Sequence, residues 1–402
     1  MELKYYDNDK NKGIVIDWER VKKEYKKLNV PKWVYNPLKP DYNTIGYNIC
    51  MSDRSEGKTT NPLLVGMILD QLYGIITHYI RYNTDMIAPK KMGELFSTIL
   101  QFRYVEKITD GAWNSVYYYG KKWFYCNRNE RGEITEKCAN HFMYCIGLNE
   151  SDSLKSSYVC PVGDWILFDE FVQLSGYGYN DFIAFTDICK TIIRDRISPV
   201  VLMMSNTIDI TSPWFDEFCI RDDINTMQMG DIRQLETCEG THIYLEILPA
   251  NKSEQRKAVN RRFFGFPNPK LAAITGKGTW ASESYPHIKY IKDNETRMIH
   301  NKIFVKQSGK LLKMQLMKNP VLGTCVYVVP ATRTHKDSYI LTHEDITAKN
   351  EIFGFGTGGT ILDIYWKLYR ANKFYYASNM EGALFKAFVK GVKEKNKNRL
   401  VF

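Results

Sequence analysis

The sequence predicts an α/β protein built on a mainly parallel sheet and followed by a smaller α+β domain. Three stretches carry that prediction. SDRSEGKTT, residues 52–60, has the form of a phosphate-binding loop. GDWILFDEF sets Asp169 and Glu170 after a short apolar run, and VVLMMSN sets Ser205 and Asn206 after another. Buried parallel strands read as short apolar runs, and parallel sheets gather their ligands at the carboxyl ends of the strands. Three groups of polar residues are thus expected along one edge of one sheet.

The loop pattern is G-x-x-x-x-G-K-[ST] (Walker A). Its backbone N–H groups cradle phosphates, its Lys reaches the terminal ones, and its hydroxyl ligates Mg²⁺. Gly57, Lys58 and Thr59 satisfy the second half, and Thr60 follows. Ser52 stands where the pattern has its first Gly, with Asp53, Arg54, Ser55 and Glu56 between. YNTIGYNICM before the loop reads as a strand, and Thr59 to about Tyr82 reads as a helix, which is the order the motif requires. A non-glycine residue forced to positive φ costs roughly 1–3 kcal/mol. Ser52 therefore calls either for a loop that opens on an ordinary backbone angle or for strain that nucleotide binding absorbs.

The acids fit the same chemistry as a Walker B pair. Asp169 is suited to hold Mg²⁺, and Glu170 to polarise the attacking water as general base. Ser205 and Asn206 are small polar groups suited to sensing a γ-phosphate or the water aligned on it. The helix NDFIAFTDICKTIIRDR ends in Arg194 and Arg196. Either is long enough to serve as an arginine finger on a neighbouring nucleotide, and either also suits the negative end of a helix dipole. NKSE at 251–254 has Glu where a guanine-reading motif has Asp, and FDEFV offers no D-x-x-G, so ATP is expected over GTP. GFGTGG at 354–359 matches a dinucleotide fingerprint, but the 43 residues after Gly359 cannot complete that fold.

At 402 residues, 44% hydrophobic and 14% aromatic, the chain has material for two or three cored domains. Its net charge of +10 is uneven: 28 Lys and Arg stand against 34 Asp and Glu over residues 1–250, and 27 against 11 over 251–402. The basic half points to nucleic acid. No apolar run approaches the roughly 20 residues of a membrane span, and no membrane partner is expected. Nine cysteines without a C-x-x-C pair suggest reduced thiols in a cytosol, with neither disulfides nor zinc. The expected divisions are an N-terminal arm (1–43), the ATPase domain (44–263), a linker (264–295) rich in Pro, Gly and Ser, and a C-terminal domain (296–402). Residues 105–160 read as hairpins rich in Tyr and Trp. KIFVKQ, LLKMQLM and GTCVYVVPA read as strands, followed by helices near 361–371 and 379–395.

Several of these motifs recur in one family in the same order. With YNP (Tyr35 to Pro37) before the loop, an Arg inside it, FDEF (Phe168 to Phe171), the stretch from Thr191 to Asn206, and YILTHED with NKFYYASN, the chain resembles the DNA-packaging ATPases of phi-29-like tailed phages, a branch of the large-terminase motors. The resemblance covers most of the chain and leaves the 105–160 hairpins as an insertion. It implies a P-loop ATPase domain of the ASCE type and an RNase H-like domain reduced from a nuclease to a nucleic-acid-binding or docking module. It implies an ATP- and Mg²⁺-dependent motor that moves double-stranded DNA into a procapsid through the portal (connector), as a homo-oligomeric and pentameric ring, with a structural packaging RNA as a further partner. The implied setting is the host cytoplasm, transiently at the portal vertex. By the same resemblance Arg54 adds positive charge over the phosphates in cis, and Asp169 and Glu170 are the metal-binding and catalytic acids. Arg194 is the finger acting in trans, Ser205 and Asn206 form the coupling motif, and Tyr35 and Asn36 lie near the adenine. Two other functions compete: a terminase with a live nuclease, and a nucleotide-gated assembly factor with little turnover. A two-metal nuclease needs converging carboxylates. The three predicted strands hold none, which leaves Asp337, Glu344, Asp345 and Asp363.

Overall fold

The computed structural model describes residues 14–31, 34–52, 57–157, 164–173, 180–194, 196, 198–206, 212–237, 239–249, 262, 285–286, 296–307, 309–342, 351–353 and 360–399. They form two compact units, one around each of two sheets. The first sheet is built from β1 (Tyr47–Ser52), β2 (Thr77–Arg81), β3 (Ser115–Tyr119), β4 (Lys122–Arg128), β5 (Ile134–Gly147), β6 (Trp165–Asp169), β7 (Val200–Asn206), β8 (Ile232–Glu236) and β9 (His242–Ile247). Their order is β3-β4-β5-β2-β6-β7-β1-β9-β8. The six strands from β5 to β9 in that order run parallel, and antiparallel pairs form both edges. β7 lies between the loop strand β1 and the acid strand β6, the additional-strand arrangement of an ASCE-type ATPase.

The helix after the loop, Thr60–Tyr73, is buried along most of its length because Leu63, Leu64, Val65, Met67, Ile68 and Leu69 cover every side of it. Gly66 lets it sit against the sheet. A Cβ there would lie 2.2 Å from Thr77 Oγ1, and on the acid strand Trp165 Nε1 donates to the Pro62 carbonyl at 2.9 Å. The N-terminal helix Trp18–Lys27, capped by Asp17, packs Trp18 against Tyr42 and Trp165 in the same core.

One expectation fails here. The helix does not continue to Tyr82. Gly74 ends it in the left-handed conformation (φ 68°), donating back to the Asp70 carbonyl, and Thr77–Arg81 returns as strand β2. A glycine at the first position past a helix accepts a positive φ without Cβ strain, and ITHYIRY carries the β-branched and aromatic residues that suit a strand.

The second unit holds β10 (Arg297–Gln307), β11 (Lys310–Asn319), β12 (Gly323–Ala331), β13 (Tyr339–Thr342), β14 (Glu351–Phe353) and β15 (Phe374–Tyr376) in the order β14-β13-β10-β11-β12-β15. β10, β11 and β12 form an antiparallel meander, and β13 and then β14 add in parallel on the β10 side. That is the topology of an RNase H-like sheet, and β15 extends it beyond β12. The helices Thr360–Arg370 and Asn379–Arg399 supply Leu362, Tyr365, Phe385 and Phe388 to its core. The expected linker lies outside the described residues save for Tyr285 and Pro286, and GFGTGG lies outside them entirely.

Candidate active site

Ser52, Asp169 and Asn206 end β1, β6 and β7 on one edge of the sheet. The pairings Ser52 with Asn206 and Asp169 with Met204 set them side by side. Ser52 is an ordinary buried strand residue with no positive φ, which resolves the missing first glycine: the chain is still in the sheet at that point. Gly57 is the position where glycine is required. Its φ is 73°, and a Cβ would meet Val34 Cβ at 3.0 Å. Asp53, Arg54, Ser55 and Glu56 lie outside the described residues.

Lys58 is buried and donates from Nζ to Asn206 Oδ1 at 2.6 Å. Thr59 Oγ1 donates to Asp169 Oδ2 at 3.1 Å. The phosphate-binding Lys, the hydroxyl, the metal-suited acid and the sensor residue expected from the sequence therefore meet in one place. Asp169 Oδ2 also accepts from Tyr79 Oη at 2.7 Å and from Arg81 Nη1 at 3.3 Å, while its buried Oδ1 has no partner among the described residues. Burial and the neighbouring Asp169 push the Tyr79 phenol well above its ordinary range, so it stays protonated and donates. Arg81 Nη2 pairs with Glu170 Oε2 at 2.6 Å, so one guanidinium bridges both acids. Neither Tyr79 nor Arg81 was foreseen, because both sit on the strand that the sequence reads as helix.

Glu170 has a left-handed backbone, φ 58°, unusual for a non-glycine residue. Its N–H donates to the Met204 carbonyl at 2.7 Å, and Ser205 Oγ exchanges 3.3 Å hydrogen bonds with the backbone N–H and C=O of Val172. Met204 and Ser205 on β7 thus hold the segment that carries Glu170.

Tyr35 is buried with Cys50 and Leu248, its carbonyl accepting from Asn61 Nδ2, and Asn36 Oδ1 caps the Leu38 N–H at 3.0 Å. Lys39 pairs with buried Glu246 on β9. These contacts brace the segment beside the loop helix and β9.

The two arginines separate. Arg196 Nε is 3.1 Å from Asp164 Oδ1, both side chains are buried, and its Nη2 donates to the Ile192 carbonyl, so it is a structural group. Arg194 is exposed at the end of the helix Asp181–Ile193, with φ 51°. That helix returns from the carboxyl end of β6 to the amino end of β7, and its 13 residues span about 20 Å at 1.5 Å per residue. Arg194 therefore lies at the opposite edge from Lys58 and cannot serve its own chain's loop.

No family model matches the sequence, and no curated protein does. Solved structures do match. The viral genome packaging motor assembly of bacteriophage Phi-29 aligns with 90% of this chain and 100% of its own at 16% identity, with a TM-score of 0.58. The Phi-28 gp11 DNA packaging motor aligns with 90% of this chain and 99% of its own at 19% identity, with a TM-score of 0.50. The resemblance read from the sequence extends to the fold.

Proposed function

We propose that the chain is an ATP-hydrolysing motor that translocates double-stranded DNA into a phage procapsid, working as a homo-oligomeric, pentameric ring at the portal vertex in the host cytoplasm. The observation that carries this reading is the meeting of Lys58, Thr59, Asp169, Glu170 and Asn206 at one sheet edge. Portal, procapsid and a structural RNA are its further partners by likeness to packaging motors.

The residues suit Mg²⁺ and ATP. Asp169 Oδ1 is a buried carboxylate oxygen without a partner among the described residues, beside the Thr59 hydroxyl, a hard oxygen pair of the kind Mg²⁺ takes. When bound, Mg²⁺ neutralises charge on the terminal phosphates. Lys58 leaves Asn206 to reach the same phosphates, and Arg54 adds a second positive charge from the loop. Glu170, once released from Arg81, orients and polarises the attacking water. Arg194 reaches the γ-phosphate held by the adjacent subunit. The basic C-terminal unit, whose strands β10, β11 and β12 carry no acid, grips or docks without cutting.

ATPase assays of the full chain with and without double-stranded DNA test this reading. The expected result is Mg²⁺-dependent hydrolysis stimulated by DNA, abolished in Lys58→Ala, and lost with ATP binding retained in Glu170→Gln. Turnover near the wild-type rate in either variant would remove the site assignment.

A further inference from the structure

The Tyr- and Trp-rich hairpins, an insertion by the resemblance read from the sequence, have no part in the proposed motor chemistry. In the β3–β4–β5 meander, Val116, Trp123, Tyr125 and Phe142 point into the core. Alternation turns a different set to the other face, where cross-strand pairing lines it up in rows. Tyr117, Phe124 and His141 form one row. The rings of Tyr117 and Phe124 stack with centroids 5.1 Å apart and planes 15° apart, and His141 follows at 6.0 Å from Phe124. Cations flank the row on both sides. Lys137 Nζ lies 5.3 Å from the Tyr117 centroid, and Lys122 Nζ lies 6.0 Å from that of Tyr144. Tyr119, in the Lys122 row, is 75% exposed. No Asp or Glu occupies these rows.

We propose that this face is a stacking platform for single-stranded DNA, such as the unpaired bases at a duplex end. A row of aromatic rings edged by lysines is complementary to a polyanion that carries flat rings, and base–aromatic stacking with a cationic border is how single strands are held without sequence preference. Duplex DNA keeps its base faces covered, so the rings gain nothing from it and the lysines alone would act. Cross-strand aromatic pairs also stabilise a sheet, but the buried opposite face already fixes this one. The choice of DNA over RNA rests on the proposed motor function. The platform itself does not.

Binding to full-length protein without nucleotide tests it, by fluorescence anisotropy with a labelled oligo-dT of twenty nucleotides, the matching duplex and an oligo-rU of equal length. Phe124→Leu should weaken oligo-dT binding by about tenfold, the loss of one base stack, and leave duplex binding unchanged. Tyr119→Ser, at an exposed site that cannot unfold the hairpin, should act in the same direction. Lys122→Gln with Lys137→Gln should flatten the salt dependence by roughly 0.7 per lysine in log–log slope. A photo-cross-linking oligonucleotide should mark the peptide containing Phe124. Equal oligo-dT affinity in every variant, or cross-links confined to the C-terminal unit, would overturn the proposal. Preference for oligo-rU would replace its occupant with RNA, and folded protein that binds no single strand would leave the face to a protein partner. ATPase activity in the same preparation separates failure of the platform from failure of the motor reading.

Discussion

Arg81 Nη2 and Glu170 Oε2 stand 2.6 Å apart, so the carboxylate suited to activate water is held in an ion pair. A carboxylate oxygen that already accepts from a guanidinium is occupied and cannot orient a water through that lone pair. The same arginine reaches Asp169 at 3.3 Å and the Tyr79 hydroxyl at 3.2 Å, so it keeps partners on β2 and β6 if Glu170 is released. Arg81→Gln should therefore raise the DNA-free hydrolysis rate and compress the stimulation by DNA, with nucleotide affinity little changed. An unaltered stimulation ratio would reduce Arg81 to scaffold. Lys cannot replace the fork that spans both acids, so Arg81→Lys should resemble the Gln variant.

Lys58 and Asn206 make a second pair, at 2.6 Å, between the loop and β7. Removing one polar group aimed at developing charge costs roughly 10²–10³ in turnover, and Asn206→Ala should fall in that range with ATP still bound. Asn206→Asp separates this from a loss of packing. A carboxylate there competes with phosphate for Lys58, so ATP affinity should drop more than in the Ala variant, as read by binding of a fluorescent nucleotide. If both variants bind ATP equally, Asn206 does not hold Lys58 in solution.

The parts of the candidate site legible in the sequence were the loop pattern from Gly57 to Thr59 and the polar groups at or just past the ends of β6 and β7: Asp169 and Glu170, Ser205 and Asn206. Local patterning sufficed there because a buried apolar run fixes both the strand and its exit. Tyr79 and Arg81 escaped because the apolar helix before them runs with one break into a strand of similar hydrophobicity. Gly74, with its φ of 68°, was the signal that a shorter helix was being capped. The choice between Arg194 and Arg196 was illegible for another reason. It depends on buried Asp164, a partner in space that no local spacing reveals. Ser52 looked anomalous only while the loop was taken to start where the motif does.

Asp70, at the end of the loop helix, gives a pH-dependent handle away from the chemistry. It accepts from Gln71 Nε2 at 3.1 Å, yet burial pushes its carboxyl up to about 7. An unfolded Asp titrates at about pH 4. Between about pH 4 and about pH 7 the folded chain thus keeps a proton that the unfolded chain has released, and its stability falls as pH rises through that window, levelling above it. Asp70→Asn removes the titration and preserves the acceptor. Its melting temperature should exceed that of the wild type at pH 8, with the gap closing toward pH 4. A gap independent of pH would return Asp70 to an ordinary carboxylate.

Arg194 and Arg196 lie two residues apart and should fail in different ways. Arg196→Ala strands Asp164 as a buried charge without its partner, a change that costs about 3–5 kcal/mol, so it should lower the melting temperature before any effect on hydrolysis is considered. Arg194→Ala removes an exposed side chain and should cost much less stability than Arg196→Ala. If Arg194 acts on the next subunit's nucleotide, the variant should lose roughly 10³–10⁵ of the assembled ring's turnover while single subunits bind ATP normally. Mixing decides the matter. Lys58→Ala subunits keep the finger and lack a working loop, and Arg194→Ala subunits are the reverse, so a mixed ring contains interfaces where an intact finger faces an intact loop. Activity should reappear from two inactive parents. The sheet geometry has already placed Arg194 at the edge away from its own Lys58, so no recovery in rings shown by sizing to be mixed would remove it from catalysis altogether.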